Sequence, residues 1–317
     1  MTAVLKSAET LLSRLPDVKG RMKENVPLSK VTWFQVGGPA DVLYRPQDAM
    51  DLAAFLKDTP DDIPFFTLGV GSNLLVRDSG FRGVVIRLGQ GFSSIELEKE
   101  NCLRVGAGAI DLHVARYAAE NSLEGAEFLC GIPGGIGGAL RMNAGAYGTE
   151  INDIFVEATA LDRQGNTHVL SPEEMGFSYR HCDIPSDWIF TEAVLQLRPG
   201  NPEEIKSRMA EISESREETQ PVKSRTGGST FANPEGRSAW ELVDSVGARG
   251  LKKGNAQISE KHCNFLINNG GATAADIEAV AEEARRRVFA EHDILLRWEI
   301  VRLGEKTNAD SIREQSV

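Results

Sequence analysis

From residue 27 to about residue 198 the chain alternates short apolar blocks with polar loops, in the rhythm of strand, loop and short helix. Apolar runs of strand length fall at residues 41–44, 65–68, 84–88, 94–97, 103–105 and 154–162. Helical spacing appears between them at 48–57 and 111–121. Ahead of this pattern, residues 1–24 read as an N-terminal helical extension, with Leu5, Leu12 and Leu15 facing inward and Pro16 ending the helix. A Pro/Gly break at 197–202 interrupts the rhythm, and a charged helix then runs from 202 to 217 with Pro202 in its first turn. That break puts a domain boundary at 199–200, separating residues 25–199 from residues 200–304. The second part predicts a helix at 238–245, strands at 256–258 and 264–267, and a long helix at 274–291 that buries Ile277, Val280, Ala281, Ala284 and Val288 along one face. Arg285, Arg286 and Arg287 form its solvated flank. A strand at 295–303 closes the fold, and the polar residues 305–317 are expected to be a disordered tail.

Composition narrows the class. The 317 residues carry 46 acidic and 35 basic side chains, a net charge of −11, with 41% apolar and 26% charged residues, which describes a globular chain and excludes disordered, collagen-like and membrane-bundle classes. An acidic surface is a poor match for nucleic acid or an anionic membrane, so neither is expected as a partner. No apolar run approaches the roughly 18 residues of a spanning helix, and the opening alternates charge with leucine instead of presenting a secretory block, so a cytoplasmic location is expected. Cys102, Cys130, Cys182 and Cys263 stand far apart without a CxxC pair, as reduced thiols do. The pairs His181-Cys182 and His262-Cys263 place would-be ligands side by side, which suits tetrahedral zinc badly, so no metal is expected.

Glycine changes the picture most, at 31 residues. One cluster, Gly69-Val70-Gly71-Ser72-Asn73-Leu74, follows an apolar strand; Leu74 takes the third glycine position of a dinucleotide fingerprint and no helix follows, so a Rossmann reading fails. A second, Gly106-Ala107-Gly108, leads into a helix for which Asp111 reads as the N-cap, and is structural. The third places five glycines in the eight residues 131–138, then Asn143 and Gly145. That much backbone freedom is costly unless the chain must pass close to something, offering bare amides. A diphosphate is the leading ligand, with tight turns between short strands as the alternative.

Six stretches in order make the sequence similar to the UDP-N-acetylenolpyruvoylglucosamine reductases of peptidoglycan synthesis: residues 32–41, the Gly69 loop, residues 131–148, Phe177-Ser178-Tyr179-Arg180, residues 227–234 and Trp298-Glu299. The resemblance spans residues 25–304 and looks like the shorter subtype. It implies an α+β fold, in which a two-subdomain FAD-binding domain of the vanillyl-alcohol oxidase and para-cresol methylhydroxylase type precedes an α+β substrate-binding domain. It also implies noncovalent FAD, NADPH as hydride donor, UDP-N-acetylglucosamine enolpyruvate as substrate, and FAD contacts at Gly69, Val70, Gly71, Ser72, Asn73, Leu74, Gly131, Ile132, Pro133, Gly134, Gly135, Gly137, Asn143 and Gly145. A monomer is expected.

The same resemblance assigns roles. Arg180 matches the residue that holds the substrate carboxylate, a task suited to a permanently charged fork. Ser229 matches the proton donor to the substrate carbanion, and Glu299, expected on a strand with Leu295, Val301 and Leu303, matches a carboxyl kept neutral by apolar neighbours. Asn233 and Arg216 match further substrate contacts, Arg216 toward the UDP phosphates. Ala232 departs from the pattern, because family members commonly carry a cation there. An FAD-linked oxidase of the same superfamily is the alternative enzyme, and a catalytically silent flavin-binding protein the alternative outside catalysis; Arg180, Ser229 and Glu299 together favour the reductase.

Overall fold

A computed structural model describes residues 10–306. The chain begins with a four-stranded sheet in the order Arg21–Pro27, Pro39–Arg45, Phe81–Arg87, Phe65–Leu68; the first pair is antiparallel and the other pairs are parallel. Asp48 starts the helix Ala49–Asp58 by accepting from the Asp51 amide, and the helix buries Leu52, Phe55 and Leu56 against Val42, Tyr44, Val84 and Ile86. The expected helical extension is corrected here. Leu11–Arg14 makes a single 3-10 turn and residues from Arg21 form a strand, while Leu5 lies outside the described residues. Asp51 explains the difference: its carboxylate collects the amides of Lys19, Gly20 and Gln47 and the Tyr44 hydroxyl, which holds residues 19–20 extended beside the sheet.

A second, five-stranded antiparallel sheet follows, in the order Thr167–Leu170, Phe155–Leu161, Ile189–Gln196, Cys102–Gly106, Ile95–Leu97. The helices Asp111–Glu120 and Ile136–Arg141 share its core. The helix Pro202–Thr219 belongs to this unit as well: Ile212 is part of the same core, and the Tyr147 hydroxyl donates to the Ile212 carbonyl at 3.2 Å. Nor is the Pro/Gly break a linker, because Arg198–Pro199 pairs with Leu123–Glu124. The boundary expected at 199–200 therefore moves to the end of this helix. Its one apolar stripe, Ile205 and Ile212, is too thin to advertise in sequence which neighbour it joins.

The last part is a three-stranded antiparallel sheet, Lys252–Lys253, Ala256–Ile258 and Leu266–Asn268, covered by the helices Ala239–Ser245 and Ala274–His292. Its core also takes in Phe34, Val36 and Leu75 from the first part. The closing strand is only Val301–Leu303, and it pairs in parallel with Leu74–Val76 of the first part. Residues 295–300 do not continue it; Leu295 is 62% exposed, and the backbone bonds instead to a segment distant in sequence, Ala232 N–H donating to the Arg297 carbonyl and Glu299 N–H to the Thr230 carbonyl. Arg285, Arg286 and Arg287 pair along the helix with Glu282 and Glu283, the solvated flank expected of them.

Candidate active site

Arg180 sits in a tight turn closed by mutual backbone bonds of Ser178 and His181, with φ +56°. Its Nη2 donates to the Gly145 carbonyl at 3.0 Å and its Nε to Glu299 Oε1 at 3.1 Å. The ion pair thus joins the second sheet's domain to the C-terminal segment. Asp183 is taken by His181, and Arg302 by Glu278 and Glu282, so neither competes for this pair. The Glu299 side chain is 12% exposed. Burial pushes its carboxyl above the ordinary range, and the opposing pull of Arg180 does not fully offset it. The apolar surroundings differ from those expected: Glu299 precedes the strand, and Leu295 and Val301 point to solvent.

Ser229 is half-buried and makes an isolated antiparallel bridge to Phe265, just ahead of the strand Leu266–Asn268. Thr230, the next residue, accepts the Glu299 amide at 2.8 Å, so the Ser229 and Glu299 backbones run side by side. Gly228 has φ +78°, a conformation that favours glycine, and a Cβ there would meet only the Ser72 carbonyl of the first glycine loop, at 4.0 Å. Gly227 is packed against Phe34, where a Cβ would lie 2.3 Å from the ring.

The first glycine loop reaches this cluster through Asn73. Its Nδ2 donates to the Glu299 carbonyl at 3.2 Å and its own carbonyl accepts from Val301. Among the described residues, the amides of Val70, Gly71, Ser72 and Asn73 donate to no protein acceptor, and nothing lies within 4 Å of a Cβ placed on Gly69. A run of unspent N–H groups with a bare glycine in front fits a diphosphate.

The dense cluster divides. Gly138 faces open space, but a Cβ on Gly135 or Gly137 would meet the Ala109 or Ala107 carbonyl at 3.1 Å, and Gly131 is pressed on Tyr147 and Ile212. Three of these glycines thus serve packing. Asn143, expected at the cofactor, is fully buried, and its side chain is spent on the Ser178 carbonyl and the Asn152 amide. Asp111 is corrected too: Ile110 is the N-cap, and Asp111 is the first helical residue, wholly buried under Gly134 with no partner on either carboxyl oxygen.

Of the remaining residues, Asn233 uses Oδ1 to accept from the Ala239 amide at the start of a helix, and its own amide donates to the Tyr179 hydroxyl at 3.4 Å. Arg216 is half-buried beside Tyr147 and Cys130, with no partner for its buried Nε; burial lowers its guanidinium. Ala232 is buried. Sequence reasoning missed Asn73 as the tie to Glu299, and a single asparagine in a glycine loop carries no signal for that.

Residues 40–171 match the sequence family described as FAD binding domain, and residues 220–303 match UDP-N-acetylenolpyruvoylglucosamine reductase, C-terminal domain. Together with the amide-lined loop and the buried acid, this defines an FAD-dependent oxidoreductase. The UDP-N-acetylenolpyruvoylglucosamine reductase of Parvibaculum lavamentivorans is 56% identical over 94% of this chain and 96% of its own, and that of Paramagnetospirillum magneticum 58% identical over 93% and 96%. The crystal structure of the Thermus caldophilus enzyme aligns with a TM-score of 0.78 at 36% identity, over 91% of this chain and all of that one. The chain belongs to the UDP-N-acetylenolpyruvoylglucosamine reductase family. Its C-terminal family match begins at residue 220, just after the helix Pro202–Thr219 ends.

Proposed function

We propose that the protein reduces the enolpyruvyl ether of UDP-N-acetylglucosamine to the lactyl ether of UDP-N-acetylmuramate at the expense of NADPH. The observation that carries this reading is the Arg180–Glu299 contact, a fixed cation and a buried acid held 3.1 Å apart next to the backbone of Ser229. FAD, when bound, would supply the redox chemistry that couples oxidation of NADPH to reduction of the enolpyruvyl group. The Gly69 loop would hold its diphosphate through the free amides of Val70, Gly71 and Ser72, with Ile132, Pro133 and Gly134 as further candidates for that contact.

The rest falls to side chains. Arg180 binds the substrate carboxylate with its remaining N–H groups and strengthens that hold as negative charge grows on the adjacent carbon. Glu299, whose carboxyl burial raises above the ordinary range, donates in its protonated form to the same developing oxyanion. The Ser229 hydroxyl gives its proton to the carbanion, a transfer open to so weak an acid because the base is strong and fixed in place. Arg216 and Asn233 are the candidates for the UDP end, Asn233 through its Nδ2.

The test is anaerobic. The flavin of the purified protein should bleach with NADPH and regain its oxidised spectrum when UDP-N-acetylglucosamine enolpyruvate is added. A bleached flavin that the substrate leaves unchanged would overturn the assignment.

A further inference from the structure

Along one face of the first sheet stand four cations, three of them in register, without partners among the described residues. Arg21 pairs with Arg45 and Lys23 with Leu43 across the first two strands of the sheet, while Tyr44 pairs with Ile86 and Leu68 with Arg87. Paired residues in a sheet project on the same side, with neighbouring strands about 4.8 Å apart. Arg21, Arg45 and Arg87 therefore form one row and Lys23 sits a step behind, on the face that carries Leu43, Val85 and Leu68. Met22, Tyr44 and Ile86 occupy the opposite face, toward the helix Ala49–Asp58.

The local acids are already engaged. Asp41 pairs with Arg82, Asp51 is saturated by three amides and a hydroxyl, and Glu24 is opposite Val42 on the other face. Arg14 and Arg104 have carboxylate partners, whereas Arg21, Lys23, Arg45 and Arg87 have neither carboxylate nor carbonyl among the described residues. Arg87 is half-buried, and both burial and neighbouring Arg45 weigh against its charge. Arg21, Lys23 and Arg45 are exposed, so water screens much of the repulsion along the row; an anion seated over it would relieve the remainder, most of all at half-buried Arg87.

Position points to the anion. Three parallel strands end together at Arg45, Leu68 and Arg87, and open sheets of parallel strands bind ligands at their carboxyl ends. Gly69 leaves this edge directly from Leu68, and a Cβ on Gly69 or Gly89 would meet nothing within 4 Å. We propose that Arg21, Lys23, Arg45 and Arg87 form a phosphate-binding face at this edge, beside the first glycine loop and separate from the Arg180–Glu299 cluster. The shared ligand chemistry is a phosphate or diphosphate group, carried by FAD, by NADPH, or by a free anion.

Inorganic pyrophosphate, titrated into the full-length flavin-loaded protein at low ionic strength and followed by melting temperature, tests the site directly. FAD titration into the apoprotein and the anaerobic NADPH and NADH dependence of flavin bleaching assign the source; these two arms rest on the flavoenzyme reading, and the pyrophosphate arm does not. The double variant Arg45→Gln/Arg87→Gln should lose about ten-fold or more in one of the three, the scale of a single charge-assisted hydrogen bond. Loss of FAD affinity identifies the cofactor's diphosphate, a raised KM for NADPH with NADH unchanged identifies the dinucleotide's extra phosphate, and loss of the pyrophosphate effect alone identifies a free anion. Without ligand the double variant should melt no lower than the parent, since repulsion is relieved, and the exposed Arg45→Gln should give the same effect at smaller size. Parental values in all three titrations would overturn the proposal.

Discussion

Neither carboxyl oxygen of Asp111 has a partner, and burial alone pushes its carboxyl well above the ordinary aspartate range. A group whose folded-state value is raised binds more protons folded than unfolded, so its cost to stability grows as pH rises from the unfolded value to the folded one. Asp111→Asn should therefore raise the melting temperature by about 2–6 °C at pH 8 and much less at pH 4. An equal gain at both values would point to packing instead. Glu299 follows the same sign in catalysis: flavin reoxidation by substrate should fall as pH rises through its raised value, and Glu299→Gln should flatten that profile and lower the rate by about 100-fold or more. Ser229→Ala should leave bleaching by NADPH fast and slow reoxidation by about 100- to 10,000-fold. Equal slowing of both half-reactions would make Ser229 a structural residue.

Elements with strong periodicity were legible from sequence, and those defined by contact were not. The residues of Phe65–Leu68 and Ala256–Ile258 coincide with the expected strands, and the helix Ala274–His292 differs from its expectation by one residue. Residues 295–300 look equally apolar, yet their hydrogen bonds go to Thr230 and Ala232, about 65 residues back, which local pattern cannot reveal. The site divides similarly. Arg180, Ser229 and Glu299 were readable as motif residues; that Arg180 and Glu299 touch required the fold, and the glycine density at 131–138 overstated the ligand because part of it serves the Gly106–Ala109 turn. Gly227 gives an element-level test. A methyl there drives into the fully buried Phe34 ring, so Gly227→Ala should cost about 1–3 kcal/mol in denaturant unfolding. An unchanged midpoint would mean that Phe34 repacks freely.

Across the whole molecule the parts are interlocked. The core under the last sheet includes Phe34, Val36 and Leu75, and the closing strand lies beside Leu74–Val76. A fragment of residues 220–306 should accordingly give no cooperative thermal transition by circular dichroism, although its boundaries match a family domain. A sharp melt would show that it folds alone. The ion pair at the centre also spans 119 positions of sequence. At synthesis rates of roughly 5–20 residues per second, Arg180 leaves the ribosome about 6–24 s before Glu299. During that interval the edge of Leu74–Val76 that later receives Val301–Leu303 stays unpaired. The nascent chain thus passes through a stage in which the glycine loops exist without their acid, and a chaperone or an early-bound flavin has its window to guard that edge before the last strand arrives.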